Sequence, residues 1–373
     1  MLTTYLPHSA AALADCLIAR EGLLNHQWSY DYGVVWRGME MLYALTGQDQ
    51  YLAYIYDALD GMIAEDGQIA GYSLRDQNLD YLCNGRALIC LWRETRQERF
   101  LRAIRLLRSQ LDTQPRTSDG GFWHKQVYPY QMWLDGQHMA IPFYIQSELM
   151  LDGSAEALDD AANQLILAYR HTLNPATGLP CHGWDEKKRQ NWADPETGRA
   201  AHAWGRAVGW YMVALADSLD LLPREHRLYG DVLAIFRELS GRLLSIREEG
   251  VWLQVLDCPG RPGNYLESSG SCMIDYALLK GARLRLLPED CGAEAQRSFE
   301  AIQRQFIGRM RNGEYFVARC CRGAGLGGSG GRDGSFDYYI SEIVSSFDLK
   351  ATGAYLQAAC EEQLMREGGD LHG

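Results

Sequence analysis

One carboxylate is conspicuous for its neighbours. In Gln131-Met132-Trp133-Leu134-Asp135-Gly136-Gln137-His138-Met139-Ala140-Ile141-Pro142-Phe143-Tyr144, Asp135 is set among Trp133, His138, Phe143 and Tyr144. An ionisable group in an apolar, aromatic run is the composition of a tuned acid, because desolvation disfavours the charged form and lifts a carboxyl pKa toward neutrality. Asp135 equally suits the N-cap of a helix over roughly 137–150, its oxygen accepting backbone N–H bonds. A helix N-terminal position would lower its pKa instead. A second carboxylate, Asp80, follows Asn78-Leu79 just ahead of an apolar helix. It reads as an N-cap, as a like charge raising the pKa of Asp135, or as a group that positions water.

Cations and aromatics recur in the other polar stretches. Gly120-Gly121-Phe122-Trp123-His124-Lys125 is a turn followed by two candidate cations, His124 and Lys125, suited to hydroxyls or a carboxylate, or else a solvated loop. His182, in Cys181-His182-Gly183-Trp184-Asp185-Glu186, is a candidate donor to a ligand, or an exposed loop histidine. The richest stretch runs from Trp192-Ala193-Asp194-Pro195-Glu196-Thr197-Gly198 to His202-Ala203-Trp204-Gly205-Arg206-Ala207-Val208-Gly209-Trp210-Tyr211. There a guanidinium flanked by Trp204 and Trp210 suits a planar carboxylate held by the Arg206 fork, with indoles stacking on a sugar. The start of a helix beside Arg206 also favours an anion. A buried Arg–Asp structural pair is the competing reading.

These groups need positioning, and the chain offers helices to do it. Apolar positions at helical spacing mark segments 5–22, 34–46, 51–63, 81–95, 98–111, 155–172, 207–222, 225–246, 272–287, 293–310 and 342–361. Gly47 closes the second of these. The joint Ala44-Leu45-Thr46-Gly47-Gln48-Asp49-Gln50-Tyr51-Leu52 is echoed about fifty residues on by Glu94-Thr95-Arg96-Gln97-Glu98-Arg99-Phe100-Leu101, a period typical of stacked helix pairs. Roughly six or seven such pairs fit the length. Only 250–255 and 314–318 read as short hairpin-like pieces. An all-α ring of helix pairs, with loops gathered around one mouth, is expected over 1–373 as a single domain with no linker.

Composition narrows the function. A net charge of -12 argues against nucleic acid and anionic membranes as partners. The 21 Tyr and 10 Trp are a load used by sugar-binding clefts or by cores. The start, Met1-Leu2-Thr3-Thr4-Tyr5-Leu6-Pro7, lacks the pattern of a signal peptide, and no run of eighteen apolar residues spans a membrane. Ten scattered Cys without C-x-x-C spacing, including the vicinal Cys320-Cys321, read as reduced thiols of a cytoplasmic protein. Gly323-Ala324-Gly325-Leu326-Gly327-Gly328 matches G-x-G-x-x-G but has no βαβ setting, so 323–331 reads as a flexible glycine loop or lid. No metal-ligand spacing, phosphate loop or nucleophile elbow is present, so neither metal nor cofactor is expected.

Taken together, Gln131–Tyr144, His182-Gly183-Trp184-Asp185 and Trp204-Gly205-Arg206-x-x-Gly209-Trp210-Tyr211 resemble signature blocks of glycoside hydrolase family 105. These are the unsaturated rhamnogalacturonyl hydrolases, also called unsaturated glucuronyl/galacturonyl hydrolases. Asn78-Leu79-Asp80, Leu266–Ser271, Asp337-Tyr338-Tyr339 and Ser341-Glu342 extend the likeness, in family order, from about residue 28 to 361. The resemblance implies an (α/α)6 barrel, a toroid of six helical hairpins. It also implies a substrate with a 4,5-unsaturated uronic acid at its non-reducing end, a lyase product such as unsaturated galacturonate linked to rhamnose from pectin. Asp135 matches the family's general acid/base and Asp80 its second carboxylate. His182, Arg206, Trp204 and Trp210 match residues around the unsaturated sugar, with His124 and Lys125 further candidates. Three rivals remain. One is a conventional inverting glycosidase using Asp80 and Asp135. Another is a sugar epimerase working through His138, His182 and His202. The last is a carbohydrate-binding protein without turnover.

Overall fold

The computed structural model describes residues 9–21, 27–328 and 331–368. Its helices are α1 (Ser9–Glu21), α2 (Tyr30–Thr46), α3 (Asp49–Asp60), α4 (Gly85–Thr95), α5 (Glu98–Thr113), α6 (Leu134–Met150) and α7 (Ala155–Thr172). They continue with α8 (Gly205–Leu221), α9 (Tyr229–Ser245), α10 (Ser268–Arg283), α11 (Glu289–Phe306), α12 (Phe336–Ser341) and α13 (Leu349–Glu367). A 3-10 turn, Leu79–Asn84, leads into α4. The ring follows from which faces are apolar. Outer helix α5 buries Phe100, Ala103, Ile104, Leu107 and Leu111, one stripe at helical period. Truncating Leu107 there would cost ~2–5 kcal/mol. Inner helix α10 is buried continuously from Ser268 to Gly281, because it meets neighbours on every side.

The inner ring is α2, the 3-10 turn with α4, α6, α8, α10 and α13, each packed on the next, and α13 closes back on α2. Helices α3, α5, α7, α9 and α11 each cover the inner helix before them. Helix α1 covers α13, so the sixth hairpin is made from opposite ends of the described chain. This is the (α/α)6 barrel. Close approach of α8 to α10 requires glycine: a Cβ on Gly270 would lie 2.8 Å from the Gly205 carbonyl carbon. About three turns along α8 from Arg206, buried Asp217 joins α4 and α10, pairing with Arg86 at 2.5 Å and Lys280 at 2.8 Å. None of the helices among the described residues is long and apolar enough to cross a membrane.

Among the described residues, four two-stranded ladders decorate the ring: β1 (Gln131–Trp133) with β4 (Gly183–Asp185), β2 (Leu173–Asn174) with β3 (Leu179–Pro180), β5 (Ile307–Arg309) with β6 (Tyr315–Val317), and β7 (Cys320–Cys321) with β8 (Val344–Ser345). They correct two expected helices. The helix expected at 293–310 starts earlier, at Glu289, and stops at Phe306 because Ile307–Arg309 pairs as a strand. The helix expected at 342–361 begins only at Leu349, after β8 and a left-handed Phe347 (φ 63°), with Asp348 as its N-cap. The first helix begins within its expected span at Ser9, and residues 5–8 and 22 lie outside the described residues.

One core group stands apart from the site. Asp275 on α10 is fully buried, and neither carboxylate oxygen has a hydrogen-bond partner among the described residues. Burial pushes its carboxyl well above the usual range; Arg247 opposes this and Glu362 adds to it. The folded state therefore holds this proton more tightly than the unfolded chain. Stability from this group is greatest at acid pH and falls as pH rises beyond the ordinary carboxyl range. Asp275→Asn is expected to stabilise by about 1–3 kcal/mol at pH near 8 and by much less near pH 4. Thermal unfolding of both proteins at the two pH values checks it; equal shifts would contradict the assignment.

Candidate active site

The mouth lies at the N-terminal ends of the inner helices. Tyr30 opens α2, Asp80 lies in the turn before α4, Asp135 is second in α6, Arg206 second in α8 and Ser269 second in α10. Helix dipoles at such a mouth favour negative charge. Asp135 is not an N-cap: Trp133 holds that position, without a side-chain cap bond. Its placement comes from the β1–β4 ladder, where Trp133 faces Gly183, and from the Leu134 N–H donating to the His182 carbonyl at 3.1 Å. That register puts His182 Nε2 3.2 Å from Asp135 Oδ2, near enough for strong attraction though not a fully directional hydrogen bond.

This contact decides the charge on Asp135. Burial raises its pKa, but attraction to His182, then to His124, and backbone hydrogen bonding outweigh burial, leaving the carboxyl below the usual range. The expected upward tuning is therefore reversed in the free protein. Nor does Asp80 supply repulsion, since its own charge is met by Lys125 Nζ at 2.5 Å and by His124 Nε2 at 3.5 Å. Asp80 is not the cap of its turn either; Asn78 is, accepting the Asp80 N–H at 3.1 Å. Freed from capping, Asp80 faces Lys125 and His124.

His124 and Lys125 join the two carboxylates. Gly136, next to Asp135, allows this, because a Cβ there would stand 3.0 Å from His124 Nδ1 and from Leu79. Burial pushes His124 down to about 4, so it is neutral at neutral pH. Its ring stacks on Trp133 at 4.7 Å, and Tyr128 also stacks on that indole at 4.7 Å. Trp133, Cys181, Trp192, Ala200 and Leu326 form a small apolar cluster under the mouth, separate from the main core. Buried Leu326 pins the glycine loop to that cluster, so 323–328 is not free chain; residues 329–330 lie outside the described residues.

Arg206 is buried without an acidic partner at ion-pair distance among the described residues, so the Arg–Asp structural pair is absent. Its Nη1 donates to Ser269 Oγ at 3.1 Å and to the Cys321 carbonyl at 2.5 Å, while Glu267 caps α10 and accepts from Ser269. Among the described residues the hydrogen bonds of this guanidinium are made by Nη1, leaving Nη2 and Nε for a ligand. A desolvated cation of this kind calls for an anion.

The two indoles sit deeper than expected. Trp204 is 1% exposed, lies beneath the Arg206 guanidinium at 4.7 Å and donates to Gln254. Trp210, also 1% exposed, stacks on His138 at 4.5 Å and meets Tyr30 edge-on. Neither offers an open face; they back Arg206 and the floor. Sequence reasoning gave no role to Tyr30, Gln254 or Tyr339. Burial, then the charge of Asp31, pushes the Tyr30 phenol well up, and Tyr339 Oη lies 2.8 Å from His182 Nδ1. The signal available was position, since Tyr30 starts a helix and Tyr339 lies in a block already matched.

The three histidines of the epimerase rival have separate partners. His138 is buried against Trp210 and pushed down to about 3 by burial. His202 Nδ1 pairs with Asp257 at 3.0 Å. Among the described residues, His202, Asp257 and Cys258 bring three potential metal-ligating atoms within 4.8 Å. Asp257 already bonds His202 and the Ala203 N–H, the pattern of a loop anchor.

The family model described as Glycosyl Hydrolase Family 88 matches residues 19–365. A family-105 glycoside hydrolase from C. acetobutylicum ATCC 824 is 41% identical with a TM-score of 0.93, covering 95% of this chain and 99% of that one. An unsaturated rhamnogalacturonyl hydrolase, YesR, of Bacillus subtilis is 25% identical over 73% of this chain and 76% of its own length. In fold alone, the unsaturated glucuronyl hydrolase of Bacillus sp. GL1 is similar, at 16% identity and a TM-score of 0.66 over 94% of both chains.

Proposed function

Since the chain belongs to the glycoside hydrolases of families 88 and 105, we propose that it releases a 4,5-unsaturated uronic acid from the non-reducing end of lyase-generated oligosaccharides. The observation that carries this reading is a mouth holding one carboxylate against His182 and one buried guanidinium without a carboxylate at ion-pair distance among the described residues. Arg206 takes the uronate carboxylate, and protonated Asp135 gives its proton to C4 of the enol ether. Positive charge develops at C5 and the ring oxygen. Water adds to C5, its proton returning to Asp135, and the hemiketal opens to a keto-uronate with loss of the aglycone. Lys125 and His124 hold Asp80, which orders the water or a hydroxyl. The likeness to YesR supports unsaturated galacturonate on rhamnose as the substrate, from pectin. Ten cysteines, all free thiols, support a reducing, cytoplasmic setting.

Hydration and ordinary glycosidic cleavage leave different marks. Turnover in deuterium oxide is expected to place deuterium at C4 and remove the vinyl proton signal; release of the uronate with its vinyl proton intact would refute the proposal. The depressed Asp135 pKa sets the pH response. The reactive acid form is scarce at neutral pH in the free enzyme and grows as pH falls. So kcat/KM is expected to rise as pH drops from about 8 to about 5.5, approaching tenfold per unit. A kcat/KM that falls over that interval would argue against Asp135 as the donor. The same shift makes its contribution to stability fade as pH falls through its folded pKa.

A further inference from the structure

We propose that Tyr339 is a positioning residue for Asp135: its hydroxyl hydrogen goes to His182 Nδ1 and holds the imidazole in the tautomer that carries its proton on Nε2, aimed at the carboxylate. Tyr339 lies on α12, fully buried, with Oη 2.8 Å from Nδ1. Its ring is clamped over Trp204 at 6.1 Å and its carbonyl accepts from Gln254, which also accepts from Trp204. The alternative tautomer would put a proton on Nδ1 and donate it to Oη. The tyrosine hydrogen would then have no acceptor, since among the described residues Oη bonds His182 alone. It would also set the bare Nε2 lone pair 3.2 Å from the Asp135 carboxylate, acceptor against acceptor. Two buried penalties fall on that side, whereas on the other each hydrogen faces an acceptor, Nε2–H meeting the carboxylate off-axis. Burial keeps the phenol protonated by pushing its pKa far up, so the hydrogen is present to donate.

The consequence is kinetic. When Asp135 passes its proton to C4 it becomes a carboxylate, and Nε2–H already faces the oxygen that gains charge. The inference rests on Asp135 as the acid, but its primary test needs no substrate. Histidine-15N NMR of the full chain, with the His182 signal assigned by its loss in His182→Gln, reads the tautomer directly. The parent is expected to show a protonated Nε2 and a bare Nδ1. Tyr339→Phe keeps the ring on Trp204 and is expected to populate the second tautomer and lower kcat about tenfold, with KM within about twofold. A parent with protonated Nδ1 would overturn the proposal, as would a Phe variant with unchanged tautomer and kcat. Should the Phe variant fail to fold, the parent spectrum alone decides.

Discussion

Asp135→Asn is expected to lower kcat about a thousandfold, within the ~10²–10⁴ range that a positioned proton donor contributes. Asparagine matches aspartate in shape, so it fits the second position of α6 and stays beside His182 Nε2, 3.2 Å away in the parent. The amide cannot give a proton to C4, and neither His124, pushed down to about 4 by burial, nor Lys125, held by Asp80, replaces it. Substrate binding should survive, because Arg206 and Asp80 are untouched, so KM is expected within about threefold of the parent. Steady-state kinetics on an unsaturated disaccharide measures both. A variant retaining more than about a tenth of parental kcat would show that the proton comes from elsewhere.

Arg206→Ala has the next largest expected effect, and on the other kinetic parameter. The guanidinium is buried with no carboxylate at ion-pair distance among the described residues, so a bound uronate would be its charge partner. Removing one member of such a pair costs about 3 kcal/mol, a KM rise of about a hundredfold, with kcat within about fivefold. The Cys321 carbonyl and Ser269 hydroxyl lose a donor in this variant. Arg206→Lys guards against a folding artefact: it keeps the charge and loses the fork, so its KM should fall between parent and Ala. A normal KM with collapsed kcat in the Ala variant would place Arg206 in the chemistry instead.

The fold was legible in the sequence because its period is physical. Each hairpin repeats an apolar stripe and a polar joint, and the 155–172 helix begins and ends where its spacing said. Missed boundaries have two causes: the 3-10 turn Leu79–Asn84 and the six-residue α12 are too short to show a period, and Ile307–Arg309 leaves the helix only because the strand Tyr315–Val317 pairs with it. At the site, residue types were readable and partners were not. Asp135 looked destined for a raised pKa because its neighbours in sequence are apolar, yet His182, brought beside it by the β1–β4 ladder, reverses the sign. Trp204 and Trp210 looked like open sugar platforms, but inner helices bury every face, so the indoles ended up behind the mouth. Tyr339 is 157 residues from the histidine it touches, and no local pattern announces such a contact.

The most direct test of enol-ether hydration follows the ultraviolet absorbance of the C4=C5 bond with purified enzyme and lyase-generated unsaturated pectin disaccharide. The saturated disaccharide runs in parallel, with aglycone release measured for both. Hydration at the site of Asp135 predicts loss of absorbance matched by aglycone release from the unsaturated sugar, and no release from the saturated one. Cleavage of the saturated glycoside, or aglycone release with absorbance unchanged, would contradict it and return the site to ordinary glycosidic hydrolysis.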